Sequence, residues 1–240
     1  MKNLREYILN ENNFFKNLGI GQEALIKKWV KENCILRGRI GSSVEYTINS
    51  DMTIDFIDGR IVILDYNEKE LPEYIQFGKV GGFCIRGKNL ETLRGCPKEC
   101  KEFNCSGCSK LKTLEFCPEE CEIFSCNECS KLKDLKFAPK KCEIFCCNEC
   151  NDLKSLDGCP QVWSLLGKTK VSCNRCNNLN SLKGVPKSIH EFDCSECPKL
   201  MSLEYCPKDV TLLRCSKCGG KFTKSDLFKL GINAFRCDLK

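Results

Sequence analysis

Apolar residues recur along most of the chain at a fixed distance. The recurring leucines, spaced by 21 residues except for one step of 26, are Leu90, Leu111, Leu132, Leu153, Leu179 and Leu200. A second leucine follows three residues after each, and a proline keeps the same register in all six units. Self-similarity at this period predicts a solenoid, in which each unit forms one turn. The longer step indicates a single insertion of five residues.

The units read roughly alike, and the stretch Cys121-x-x-Phe124-x-Cys126-x-x-Cys129-x-x-Leu132-x-x-Leu135 matches a leucine-rich repeat core with one residue added near its end. Alternate side chains of a strand point to the same side. Phe124 and Cys126 are therefore predicted to face inward, and Ser125 outward. Cys129 lies where the chain leaves the strand, and there it is expected to act as a small buried apolar residue with a weak thiol donor.

Two further turns are predicted ahead of the six units. Residues 80–85 match a turn in which Ile85 stands in place of the first cysteine. Earlier still, Val62-x-Leu64 is predicted to be the inward pair of the first turn, with Asn67 at the ladder position. The solenoid is therefore expected to begin near residue 59.

The segments at the two ends differ from the repeats. Residues 22–33 carry Leu25, Ile26, Trp29 and Val30 on one side of a helix, and residues 45–56 alternate as a β-hairpin does. Residues 223–231 combine a Thr or Ser start with a glycine stop, which predicts a short helix. The predicted fold class is α+β: a leucine-rich-repeat solenoid (59–220), an N-terminal helix and hairpin cap (1–58) and a C-terminal helical cap (221–240).

Composition narrows the class of protein. The 240 residues are 42% hydrophobic and carry a net charge of +6 with interleaved signs, so no basic block predicts binding to nucleic acid or to a membrane. The start has no apolar stretch typical of a signal peptide, and no run of about 18 apolar residues occurs. We expect a soluble, intracellular protein with its thiols reduced.

The 23 cysteines raise the question of metal binding. Six CxxC pairs recur, and two such pairs separated by 15 to 20 residues are a zinc spacing. Tetrahedral thiolate sulfurs lie roughly 3.8 Å apart, whereas neighbouring turns of a parallel ladder are about 4.8 Å apart. Interior packing is therefore the preferred interpretation, with no cofactor; zinc, an iron–sulfur cluster and redox chemistry are the alternatives.

Signals of catalysis are weak. His190 is the single histidine, no cysteine is distinguished as a nucleophile, and the glycines match no phosphate-binding loop. The chain is predicted not to be an enzyme, and no catalytic residue is assigned.

Several stretches resemble the small leucine-rich-repeat proteins encoded by tailed bacteriophages and their prophages. The matching stretches are Tyr46 to Asp55, Phe77 to Phe83 and Leu93 to Cys100, and similarity extends over almost the whole chain. The resemblance implies a repeat fold, a phage origin and a place in the bacterial cytoplasm or in a virion, but no catalytic residue or partner. The chain departs from that family by placing cysteine where the common repeat has Asn-Asn or valine.

Outward strand positions of such solenoids form one extended surface. The positions predicted to form it, as a candidate site for a protein partner, are Glu102, Asn104, Ile123, Ser125, Ile144, Cys146, Lys170, Ser172, Glu191, Asp193, Leu212 and Arg214. An apolar centre with a polar rim is typical of a protein-binding patch. Alternatively, β-branched residues fill outward positions through strand propensity alone.

The inserted segment is a second candidate. Trp163, Leu165 and Leu166 are either a binding anchor or apolar residues folded back over the solenoid wall. The function predicted from the sequence is a non-enzymatic protein–protein interaction module. A metal-binding or redox scaffold and a structural virion component are the alternatives, and neither the partner nor the oligomeric state is predicted.

Overall fold

A solenoid of short parallel strands makes up most of the described chain. The computed structural model describes residues 21–38, 45–162 and 167–239. Within them, nine parallel strands follow one another in one sheet, and two antiparallel strands join it near its N-terminal end. This order confirms the predicted solenoid. The candidate anchor residues Trp163, Leu165 and Leu166 lie outside the described residues.

Helix α1 (Gln22–Asn33) packs against the first turns. It buries the four residues that the sequence pattern places on one side, namely Leu25, Ile26, Trp29 and Val30. The Trp29 ring lies 6.3 Å from the Tyr66 ring and 6.4 Å from the Phe77 ring, measured between centroids. An isolated helix of this length is marginal in water, so these contacts stabilise it.

The predicted hairpin is present. Strand β1 (Ile35–Gly38) and strand β2 (Thr47–Ile48) both pair antiparallel with β3 (Ile54–Ile63). The Asp51 carboxylate accepts hydrogen bonds from the backbone N–H and the hydroxyl of Thr53, which fixes the turn between β2 and β3.

Strand β3 is at once the second strand of the hairpin and the first turn of the solenoid. It runs without interruption through residue 59, so the expected domain boundary falls inside a strand. The inward pair predicted at Val62 and Leu64 is wrong by one residue. Ile61 and Ile63 are buried and align with Phe83 and Ile85, whereas Leu64 is 47% exposed. A slip of one residue reverses every side chain, and the larger apolar pair occupies the core.

The remaining strands of the sheet repeat at the spacing of the leucines. In chain order they are β4 (Phe77–Ile85), β5 (Glu99–Asn104), β6 (Ile123–Ser125), β8 (Ile144–Cys146), β10 (Lys170–Ser172), β11 (Ser188–Asp193), β12 (Asp209–Arg214) and β13 (Asn233–Asp238). A separate two-stranded sheet pairs β7 (Lys141–Cys142) with β9 (Gln161–Val162) on the flank. Ile85 occupies the place of the first cysteine, as predicted.

Stacked side chains fill the interior. Phe83, Phe103, Phe124 and Phe145 form a continuous pile with ring centroids 5.5 to 5.7 Å apart. Val171 takes this place in the turn that contains the insertion, and Phe192 and Leu213 follow. The recurring leucines are fully buried in every unit. The core therefore runs the length of the solenoid, and Val171 interrupts its pile of aromatic rings at the turn that contains the insertion.

The C-terminal end contains the expected helix and an element that the sequence analysis missed. Helix α2 (Lys224–Lys229) starts at Thr223, whose hydroxyl accepts from the Asp226 N–H while the Asp226 carboxylate accepts from Thr223. Gly231 has a φ of +66°, which ends the helix. Strand β13 then adds a further turn to the sheet.

Candidate functional site

The strands bring the predicted outward positions together as one surface, which we call the outer face. Strand register aligns a first row: Glu102, Ile123, Ile144, Lys170, Glu191 and Leu212. It aligns a second row two residues further along each strand: Asn104, Ser125, Cys146, Ser172, Asp193 and Arg214. Between the rows, Phe103, Phe124 and Phe145 point into the core and are fully buried. The alternation predicted for these strands is confirmed with one exception: Ser172 is in register with the second row but is buried.

The centre of the outer face is apolar. Ile123 and Ile144 are direct neighbours on adjacent strands, and Cys146 lies next to them in the second row. All three are half-buried. Burial raises the pKa of the Cys146 thiol, although nearby Lys170 opposes the shift. The thiol therefore remains uncharged at neutral pH and adds to the apolar surface.

Charged residues border this centre on both sides. On one side, Arg60 forms an ion pair with Glu102. On the other, the Glu191 carboxylate lies 3.7 Å from the Lys170 ammonium and 3.9 Å from the Arg214 guanidinium. Exposed pairs of this kind contribute roughly 0–1 kcal/mol to stability. They place charged groups on both sides of the isoleucines.

Amide and hydroxyl groups fix the backbone beside the outer face. The Asn148 side-chain oxygen accepts hydrogen bonds from the Ser172 hydroxyl at 2.7 Å and from the Asn174 N–H at 2.9 Å. One turn earlier, the Asn127 side-chain oxygen accepts from the Asn148 N–H at 2.8 Å. These bonds link three successive turns where the chain leaves the strands. Side-chain hydrogen bonds therefore add to the hydrogen bonds of the sheet in fixing the backbone beside the outer face.

The paired cysteines stack along the inside of the solenoid, and we call this stack the thiol ladder. In each pair the second thiol donates to a backbone carbonyl of the preceding turn. The donor–acceptor pairs are Cys108 to Ile85 (3.6 Å), Cys129 to Cys105 (3.3 Å), Cys150 to Cys126 (3.2 Å), Cys176 to Cys147 (3.2 Å), Cys197 to Cys173 (3.3 Å) and Cys218 to Cys194 (3.1 Å). The predicted burial and weak thiol donor are both confirmed.

The Cys108 and Cys197 thiols of the ladder are held in their protonated form. Burial raises the pKa of Cys108 and of Cys197 to about 12. A proton on the second sulfur is also what makes the hydrogen bond to the carbonyl. Among residues 21–38, 45–162 and 167–239, no group of three or more Cys, His, Asp or Glu side chains has an arrangement that could hold a metal ion.

Three further thiols line a concave flank that sequence reasoning missed. We call Cys100, Cys121 and Cys142 the flank cysteines; they hold equivalent places in successive turns, and Val162 follows them. Cavities of about 560, 770 and 520 Å³ succeed one another along this flank. Ligand pockets have comparable volumes. Residues from several turns build each cavity, so no local motif announces it.

The flank has charged walls that pair with each other. The Lys101 ammonium lies 3.8 Å from the Glu122 carboxylate, and the Lys141 ammonium lies 3.2 Å from the Glu120 carboxylate. His190 borders the third cavity, far along the chain from these pairs. The flank therefore differs from the outer face: its walls are charged, whereas the centre of the outer face carries no charge.

The fold and the thiol ladder define a class: a cysteine-rich solenoid with one parallel strand per turn. No model of a known family matches the chain, and neither the curated proteins nor the solved structures contain a match. Within the described residues, neither helix has the length and apolar character needed to cross a bilayer.

Proposed function

We propose that the chain is a non-enzymatic protein-interaction module and that its outer face contacts the partner. The observation that carries the proposal is the register that sets Ile123 beside Ile144, with Cys146 adjoining them. Two β-branched side chains on neighbouring strands, together with an uncharged thiol, make a continuous apolar centre. Strand propensity explains each isoleucine separately, but it does not explain why charged residues flank the pair and are absent from its centre.

The physical basis is the usual division of an interface into core and rim. Burying apolar surface contributes about 25 cal/mol per Å², so the half-buried isoleucines have a further gain available on binding. The pairs Arg60–Glu102 and Lys170–Glu191 form the polar rim. A matching partner presents an apolar anchor flanked by charges of both signs. Glu191, Asp193, Leu212 and Arg214 extend the contact toward the C-terminal end.

The proposal includes a leucine-rich-repeat identity for the solenoid, with α1 and α2 as end caps. Supporting it are the leucines buried in every unit and the packing of Trp29 on Phe77. A phage origin, and a place in the bacterial cytoplasm or the virion, follow from the sequence resemblance and belong to the same proposal.

A capture experiment tests the outer face. Wild type and an Ile123→Glu/Ile144→Glu variant are used to capture proteins from infected or expressing bacteria, with quantitative mass spectrometry. The matched control is Phe116→Glu/Phe137→Glu, because those side chains are 45% and 54% exposed and belong to the same two turns. We expect the isoleucine variant alone to lose a specific partner. Equal recovery by all three proteins, each with an unchanged circular dichroism spectrum, refutes the proposal.

The main alternative is a metal-binding or redox scaffold built on the cysteine pairs. Its support is the pair spacing, but a thiolate that binds metal gives up its bond to the carbonyl of the preceding turn. Elemental analysis of protein purified without chelator separates the two: one or more zinc or iron atoms per chain favours the scaffold. A structural virion role instead requires high copy number in purified particles.

A further inference from the structure

Strand β13 is at the end of the sheet and pairs only with β12 among the described strands. An uncovered strand edge presents unpaired N–H and C=O groups and is a template for another strand. Natural edges are blunted by proline, by charged side chains, by bulges or by shortness. β13 is six residues long, contains no proline, and bears an exposed Phe235 (83%).

The hydrogen bonds to β12 reveal which residue faces the open side. The Asp238 carbonyl accepts from the Cys215 N–H, so the backbone groups of Asp238 point toward the preceding turn. Backbone groups of successive residues in a strand point in opposite directions. The N–H and C=O of Cys237 therefore point away from β12, toward the open edge.

The side chains on either side of Cys237 carry opposite charges. Arg236 and Asp238 align with Leu212 and Arg214, so they continue the two rows of the outer face. Both are exposed. No ion pair of Arg236 with another described residue is observed. A positive and a negative charge thus lie two residues apart on the same face of an edge strand.

From this arrangement we infer that β13 is a docking edge for a second copy of the chain. Two identical edges related by a two-fold axis must run antiparallel. With Cys237 opposite Cys237 as a hydrogen-bonded pair, Arg236 of each copy lies opposite Asp238 of the other. These two reciprocal positions are non-hydrogen-bonded ones, where side chains are closest.

The charges of Arg236 and Asp238 favour a second copy of the chain as the partner, and they favour the antiparallel register. An approach that sets Arg236 beside Arg236 brings like charges together, which disfavours it. In the antiparallel register, Asp238 lies between Arg214 of its own chain and Arg236 of the second copy. Pairing joins the two sheets into one continuous sheet and covers part of Phe235.

A charge-swap series tests the inference by sedimentation velocity from 1 to 100 µM under reducing conditions. We expect wild type to dimerise, and Arg236→Asp to raise the dimer dissociation constant at least about tenfold, since attraction becomes repulsion twice. Arg236→Asp combined with Asp238→Arg restores complementarity and should recover the dimer. Lys187→Asp is the control, an exposed charge change away from this edge.

Circular dichroism checks the fold of every variant, and the altered side chains are exposed. Amide exchange gives a second readout: dimerisation should protect the Cys237 N–H, whereas the amides that face β12 are protected in monomer and dimer alike. A wild-type monomer at 100 µM overturns the inference. So does a dimer that Arg236→Asp leaves intact, or one that the double variant fails to recover.

Discussion

The ladder cysteines and the flank cysteines belong to the same turns but are retained for different reasons. The second cysteine of the ladder is present in all six units, and in each its thiol donates to a carbonyl of the preceding turn. The flank position holds Cys100, Cys121 and Cys142 in three turns, but Val162 in the next and Val210 near the end. Cys100 donates to the Glu102 carbonyl at 2.7 Å, so the flank position accepts a thiol donor without requiring one, whereas the ladder position holds a donor in every unit.

Alkaline pH should produce the largest effect, because it acts on both kinds of cysteine. Burial raises the pKa of Cys108 in the ladder, and of Cys100 and Cys142 on the flank, from the ordinary 9.0 to about 12. The unfolded chain therefore loses its thiol protons first. Stability is complete below about pH 9 and falls as the pH rises toward 12, by about 1.4 kcal/mol per pH unit for each such thiol.

Urea titrations between pH 7 and 10.5 in a reductant measure this loss. We expect the midpoint to be steady up to about pH 8.5 and then to fall steeply. Replacing the three flank cysteines by valine should make the fall shallower, since three titrating groups are removed. An unchanged midpoint at pH 10.5 would contradict the assignment of protonated thiols to the core.

Valine substitutions should separate the two positions directly. Cys150→Val removes the donor to the Cys126 carbonyl and adds a branched side chain to a fully buried site. Loss of the bond and overpacking together cost about 2–4 kcal/mol. Cys142→Val should cost less than about 1 kcal/mol, because Val162 fills the neighbouring equivalent place. Urea midpoints of the two variants compare them; equal losses would break the distinction.

Serine and alanine at the same ladder site should give the smallest effect. Cys150→Ser keeps a donor facing the Cys126 carbonyl, whereas Cys150→Ala leaves that carbonyl without its partner. We expect alanine to be less stable than serine by about 1 kcal/mol. At Cys142 the order should reverse, since a hydroxyl there occupies an apolar place. Thermal unfolding of the four variants gives the comparison; the same order at both sites would count against it.

The sequence predicted those parts of the fold that depend on residues close together in the chain or on the repeat length. The stripe of Leu25, Ile26, Trp29 and Val30 identified α1 correctly, and the period of the leucines identified the turns. The alternation around Phe124 also placed Ile123 and Ser125 outward. Each of these needs only a helix or strand period and a repeat length.

What the sequence could not supply depends on contacts between turns. The predicted inward pair of β3 was wrong because Val62 and Leu64 are as apolar as Ile61. Only the alignment with Phe83 and Ile85 on the next strand selects Ile61 and Ile63. The thiol acceptors are carbonyls of another turn, and the flank cavities need residues from several turns. Strand β13 lacks the Leu and Pro spacing of the repeats, so no repeat signal marks it.

Because the ladder thiols are covered while the solenoid is closed, they can report on its opening. Any turn that separates from its neighbour uncovers two adjacent sulfurs, and an alkylating reagent would then mark them permanently. Peptide mapping of the marked positions over time would rank the turns by how often each one opens. The six cysteine pairs are therefore probes of local opening at six places along the axis of the solenoid.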